Sequence, residues 1–298
     1  MWPIRISLPA LKPETAGLLA IALAALLWAI AAVVARKLLD AGVTPFELAL
    51  SRAAIATVGL GVICGFSPPP KQRFDGRMLL LGLALALVTA CYYVAIARLS
   101  VAVAIVIQYT APALVVLWSA VKNWRLPAPV ILAAVSAALL GVSLISGVFS
   151  KTLHFDGIGL IAAGGSAVFF ATYTLFSEAL VDTYGATGVM FRGFLVATLF
   201  WSAFQVSQGV PTSVLAIANG PGLLFTGIGG TLIPFSLMVW GIQRVKAERG
   251  AIAASLEPVL ATLLAWVWLG QTLNSMQILG GMLVLGAVLL LQVQPSDA

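Results

Sequence analysis

Along almost the whole chain, low-charge apolar stretches of about twenty residues follow one another with only short interruptions. Each is long enough to cross a hydrocarbon core of roughly 30 Å as a helix. No interruption has room for a separate soluble domain. Backbone in lipid must satisfy its own N–H and C=O groups, so a chain of this kind is confined to a helical bundle. Only 9% of the residues are charged and 61% are hydrophobic, whereas about a quarter of an ordinary soluble domain is charged. The net charge of +6 comes from 16 Lys and Arg that sit mostly in connecting segments. That distribution suits membrane orientation and argues against a nucleic-acid partner. Cys64 and Cys91 fall inside apolar stretches without metal-ligand spacing, so no metal site is expected and both read as small buried groups.

Punctuation by Pro, Gly and charge divides the chain into spans near 15–35, 46–66, 77–97, 101–121, 128–148, 157–178, 187–206, 221–243, 250–269 and 275–292. The expected fold is all-α integral membrane with ten transmembrane helices. The first run, from Glu14 to about Val34, exceeds the core of a signal peptide and reads as a permanent helix. An even number of spans puts both termini on one side. That side carries Arg5, Lys12, Lys71, Arg73, Arg77, Lys122, Arg125, Arg244, Lys246 and Arg249, against Arg36, Lys37, Arg98 and Lys151 on the other. The positive-inside rule therefore predicts cytoplasmic termini, with the joint "IARLSVAVA" the weakest point of the count.

The chain also resembles itself. "LLWAIAAVVARKLLDAGVTPFELALSRAA" matches "VFFATYTLFSEALVDTYGATGVMFRGF", pairing Asp40 with Asp182 and, after a two-residue shortening, Arg52 with Arg192. "ARLSVAVAIVIQYTAPALVVL" matches "QRVKAERGAIAASLEPVLATL" without gaps, pairing Arg98 with Arg244 and Pro112 with Pro258. Two five-helix repeats, 1–149 and 150–298, follow within one membrane domain. Five is odd, so the second repeat enters the membrane from the opposite side, an inverted repeat of the kind that carriers use to exchange inward-open and outward-open forms.

The segment "AERGAIAASLEPVLATLLAWVWLGQTLNSMQILGGMLVLGAVLLL", with Trp28 and Arg52, resembles the EamA-type exporters of the drug/metabolite transporter superfamily, and the likeness covers almost the entire chain. Gln271 stands where that family usually has an acid. The resemblance implies a ten-helix carrier in a bacterial inner membrane that exports amino acids, other metabolites or toxic organic compounds. Within the group the overall likeness is to aromatic-amino-acid exporters of the YddG type.

Polar groups inside spans single out candidate site residues, since a centred Arg, Lys or Asp costs roughly 2.5–3.5 kcal/mol on insertion scales. Glu257, the one acid well inside a span, precedes Pro258; it is a candidate amino-group or proton site, or a hydrogen-bond acceptor at a kink. Arg52 and Arg192 are candidate carboxylate ligands, or structural residues that snorkel to the interface or pair with a loop acid such as Asp40 or Asp182. Tyr92, Tyr93, Gln108, Tyr109, Tyr173, Trp240 and Gln243 sit at mid-span and would suit a cavity for an organic solute with a polar head. Tyr93 and Trp240 fall at adjacent equivalent positions, placing them near the repeat axis. Pro112, Pro234 and Pro258 are candidate hinges, Gly227, Gly229 and Gly230 adding to the bend at Pro234. Trp28 reads as packing, Trp2, Trp124 and Trp201 as interfacial belt residues, and His154 as solvated.

The leading function is a secondary carrier for a small molecule, working by alternating access without cofactor or obligate protein partner, in contact with membrane lipid only. The glycine runs "FTGIGGTLIP" and "AAGGSAV" lack Walker spacing. Multidrug export is the alternative substrate class. An integral-membrane lipid-modifying enzyme would need clustered His, Asp or metal ligands, and a channel would need charge rings or filter loops; neither pattern is evident.

Overall fold

The computed structural model describes residues 12–70, 75–99, 101–148, 156–209, 212–269 and 272–293, which are helical with no strand among them. Expectations placed on Trp2, Arg5, Lys71, Arg73, Lys151, His154 and Gln271 lie outside the described residues. The helices are α1 Pro13–Asp40, α2 Pro45–Phe66, α3 Arg77–Arg98, α4 Val101–Gln108, α5 Ala111–Asn123, α6 Pro129–Ile145, α7 Gly157–Gln208, α8 Thr212–Leu215, α9 Gly220–Gly227, α10 Ile233–Ala254, α11 Leu256–Leu269 and α12 Ser275–Val293. A π-helical turn, Ile228–Leu232, joins α9 to α10.

Local chemistry sets the helix starts. Pro occupies the first turn of α1, α2, α5 and α6, where its missing N–H is no loss. Thr44 and Glu47 form a reciprocal capping box on α2, and Asn274 and Gln277 exchange the same pair of bonds ahead of α12. Asp156 accepts the Gly159 N–H at 2.7 Å at the start of α7.

Six helical stretches are long and apolar enough to cross a membrane, and 129–145 and 275–291 are shorter apolar helices. Two of the six exceed one crossing: α7 has 52 residues and the stretch Ile217–Ala254 has 38, about 78 and 57 Å at 1.5 Å per residue. The sequence divided 157–206 by a loop. Instead the chain turns at one residue, Gly185, whose φ of 68° and ψ of 157° no residue with a Cβ adopts without strain. Lys246 takes nearly the same conformation, φ 69° and ψ 165°, so no loop separates the stretches expected at 221–243 and 250–269. The stretch expected at 101–121 is broken at Tyr109 and Thr110, and its counterpart in the second repeat is broken at Ser255.

The repeats interlock helix by helix. α1 lies along α10 and α3 along α7, two contacts that the internal repeat maps onto each other. α6 packs on α12 so closely that a Cβ on Gly141 would sit 2.7 Å from the Gly280 carbonyl, and one on Gly280 would sit 2.6 Å from that of Gly141. Only backbone-to-backbone packing fits there. At the side where α1 begins, buried Arg249 donates through Nη1 to the Leu291 carbonyl at 3.0 Å and lies 3.8 Å from Glu14 Oε2, joining the first turn of α1 to the last of α12.

Candidate functional site

A cavity of about 80 Å³ lies between the repeats at mid-helix. On α1 it runs from Trp28 along Ala31, Ala32 and Ala35, and on α3 from Val88 through Thr89 to Tyr92 and Tyr93. Both tracks lead toward the α1–α2 turn and away from the start of α1. Arg52 of α2, Gln108 of α4 and Glu257 of α11 complete the polar wall, with Thr226 and Gly230 beside them.

Arg52 is held from three directions: Nε donates to Thr231 Oγ1 at 2.7 Å, Nη1 to the Tyr93 hydroxyl at 3.2 Å and Nη2 to the Gly230 carbonyl at 3.3 Å. The π-helical turn makes this possible, because it sets the Thr231 hydroxyl and the Gly230 carbonyl toward α2. A guanidinium has five N–H donors, so two remain for a ligand. Among the described residues no carboxylate lies within ion-pair distance of Arg52. The expected partner Asp40 is instead paired with Arg36 at 3.0 Å on the exposed end of α1, because Arg52 points across to the second repeat and not up to the loop.

Glu257 stands in the first turn of α11, where the helix dipole favours a negative charge. Tyr109 donates to its Oε2 at 2.7 Å from behind the cavity wall. Gln108 Oε1 accepts from the Ser166 hydroxyl at 3.0 Å, which fixes the amide against α7. Beneath these groups, on the side of the α1 start, aromatic rings close the cavity. Trp28 meets Phe235 edge-on at 5.1 Å and Phe170 at 6.4 Å, and Tyr173 packs on Phe170 and Phe235 at 5.0 and 5.5 Å.

The structure therefore brings Arg52, Tyr92, Tyr93, Gln108 and Glu257 onto one cavity, with Tyr109 and Tyr173 directly behind its wall. Trp240 and Gln243 are not part of it. Trp240 lies on an outward face beneath Arg244, whose Cζ is 3.3 Å from the ring centroid, and Gln243 donates to Asp182 at 3.1 Å in an exposed position. The cavity face of α10 is set by Phe235, with Met238, Val239 and Ile242 buried, and Trp240 and Gln243 are rotated away from it. Arg192 is also apart, bonding its own helix at Gly188 and lying 4.9 Å from the Tyr184 ring. Pro112 and Pro258 follow the two helix breaks by a few residues, and Pro234 follows the π turn. Trp28, expected only to pack, lines the cavity, while Trp201, expected at an interface, is buried and donates to the Ala86 carbonyl at 3.2 Å. The sequence reading also missed Phe170 and Phe235, which carry no polar atom to mark them.

A second, larger cavity of about 1,030 Å³ opens on the opposite side, where α1 begins. Arg77, Lys122, Arg125, Lys246 and Arg249 line it with Glu178 and Glu248. The Arg77 fork, 2.6 Å from Asp75 Oδ2, holds that carboxyl below its usual range by hydrogen bonding.

A multi-pass helical membrane protein with a polar cavity between two similar halves has the build of a small-molecule transporter. The chain belongs to the EamA-like transporter family, whose sequence profile matches residues 15–147 and again 157–293. It is 26% identical to the threonine/homoserine exporter RhtA of Escherichia coli K12 over 255 residues, 83% of this chain and 79% of that protein. It is also 26% identical to the uncharacterized inner membrane transporter YicL of Salmonella typhimurium LT2 over 229 residues, 75% of each. A third relative, an uncharacterized transporter of Archaeoglobus fulgidus, is 28% identical over 214 residues, 71% of this chain and 75% of that one. A solved crystal structure superposes with a TM-score of 0.77 at 21% identity, covering 94% of this chain and 98% of the other, which supports the fold.

Proposed function

We propose that this chain exports small neutral amino acids across the bacterial inner membrane by alternating access. One observation carries the reading: Arg52 and Glu257 face one mid-membrane cavity without pairing to each other. The two guanidinium N–H donors left over and a carboxylate on the same small space match the two charges of a zwitterion, carboxylate to Arg52 and ammonium to Glu257. The volume narrows the class. At roughly 10–15 Å³ per water on this measure, about 80 Å³ is the room of a handful of waters, suited to a small metabolite more than to a drug-sized solute. The aromatic surfaces of Trp28, Phe170 and Phe235 favour a second reading, an aromatic amino acid seated against those rings. The relatives named as threonine/homoserine exporters support amino-acid export in general.

In this reading the membrane is crossed ten times: by α1, α2, α3, α4 with α5, α6, the two limbs of α7 at 157–184 and 186–208, the stretch 217–245, the stretch 247–269, and α12. The repeats 1–149 and 150–298 are inverted, and both termini are cytoplasmic. The visible cavity is then outward-facing and the basic cavity lies on the cytoplasmic side. The substrate's own gradient or a proton taken up at Glu257 drives export.

Counterflow in proteoliposomes tests this. Vesicles preloaded with unlabelled threonine are expected to accumulate labelled threonine, with tyrosine, lysine, glutamate and a cationic dye compared in parallel. Accumulation of the dye with no amino acid moved would overturn the substrate class, and flux without trans-acceleration would overturn the carrier mechanism.

A further inference from the structure

Four buried side-chain polar atoms lack a hydrogen-bond partner among the described residues, and three of them, Tyr173 Oη, Ser177 Oγ and Ser255 Oγ, belong to the second repeat. Tyr173 and Ser177 are fully buried and Ser255 is 1% exposed. The Thr174 hydroxyl, Tyr173's polar neighbour, donates to the Phe170 carbonyl at 2.8 Å. Thr172 on the same helix also bonds the carbonyl one turn back, at 2.8 Å, the usual way for such hydroxyls to be satisfied in a span. Ser177 does not. Each orphaned hydroxyl disfavours the visible form by about tenfold, and alanine would avoid that.

At two of the three equivalent places the first repeat has alanine. The internal alignment pairs Tyr173 with Ala31, Ser177 with Ala35 and Ser255 with Tyr109. Ala31 and Ala35 line the open cavity, and Tyr109 braces Glu257 on its wall. Inverted repeats exchange roles when the carrier turns over, so the equivalents of residues lining the open cavity line the one that forms on the other side. Phe176 and Glu178, the chain neighbours of Ser177, already border the basic cavity there. Resting on the alternating-access reading, we infer that Tyr173, Ser177 and Ser255 are the polar lining of the alternate cavity. Their hydroxyls meet water and the zwitterion on the side where α1 begins, and that cavity is continuous with the basic one.

Single cysteines test the assignment in a background with Cys64 and Cys91 replaced by alanine. A membrane-impermeant methanethiosulfonate reagent is applied to vesicles of each orientation. Ala35→Cys is expected to react from the α1–α2 turn side, and Ser177→Cys and Ser255→Cys from the opposite side, at least tenfold faster than from the first. Tyr173→Phe, which removes an orphan from the visible form, is expected to slow Ser177→Cys labelling about tenfold while Ala35→Cys labelling persists; a purely structural role would not separate the two labels. Ser177→Cys and Ser255→Cys inert from both sides while Ala35→Cys reacts, or all three reacting from one side, would overturn the inference. Threonine flux measured in the same vesicles scores the substrate reading separately: flux lost with sidedness intact sinks that reading and leaves this one standing.

Discussion

Arg52 and Arg192 occupy equivalent places in the two repeats and have opposite lives. Arg52 bridges the repeats, donating to Thr231 and Gly230 of the second while facing the cavity. Arg192 turns back on its own helix at Gly188 and on the Tyr184 ring. The two helix breaks differ in the same sense. Tyr109, at the first, reaches Glu257, whereas Ser255, at the second, bonds none of the described residues through its hydroxyl. In the first repeat Arg52 and Tyr109 are thus engaged at the cavity, whereas their equivalents Arg192 and Ser255 stand apart from it. Sequence similarity between the repeats marks position, and the contacts mark how each position is used.

The largest test of this contrast is to remove each arginine. Arg52→Ala is expected to lower transport efficiency by at least about a hundredfold, the loss of two charge-assisted hydrogen bonds of roughly 1.5–3 kcal/mol each, while Arg192→Ala stays within about threefold. Comparable losses in initial-rate flux would erase the distinction. Glu257→Gln comes next: it keeps an acceptor for Tyr109 and removes the charge, so export is expected to fall by about tenfold or more and to lose its response to an imposed pH gradient. An unaltered response would take Glu257 out of the coupling.

The helix breaks sharpen the comparison at smaller scale. Tyr109→Phe is expected to cost about 1.5–3 kcal/mol, since a buried carboxylate loses its donor, whereas Ser255→Ala leaves stability equal or higher; equal losses of melting midpoint in detergent would contradict the contrast. The smallest effects are at the two strained joints. Gly185→Ala should lower stability by about 1 kcal/mol and Lys246→Gly should raise it by a similar amount, because the two share one backbone conformation and only one has the residue that suits it. Shifts of the same sign would show that side-chain contacts, and not the backbone, govern these turns.

The helical class and the two similar halves were legible because hydrophobic length and repeat spacing are written in every segment. The internal breaks were not. Proline in a first turn is compatible with a helix start, so Pro112 and Pro258 mark a neighbourhood, while the interruptions fall at Tyr109 and Ser255, residues without a breaking signature. Depth along a helix was also readable, which brought out Arg52 and Glu257, but azimuth was less so. A helix turns by about 100° per residue, so the step from Val239, the true counterpart of Tyr93, to Trp240 is enough to carry a ring from the interior to the outside. Trp28 was hidden for a related reason: its neighbours Ala31 and Ala32 are small enough for close helix packing, and they also form the smooth wall of the cavity.

At the side where α1 begins, Arg249 clasps Glu14 in the first turn of α1 and the Leu291 carbonyl in the last turn of α12. A load that tilts α1 against α12, whether a fused reporter, a bound peptide or a bilayer of different thickness, acts on that guanidinium. Reporters inserted into an internal turn would leave the clasp unstrained, whereas those placed at the extremities would record their own mechanical influence along with the turnover they were meant to follow.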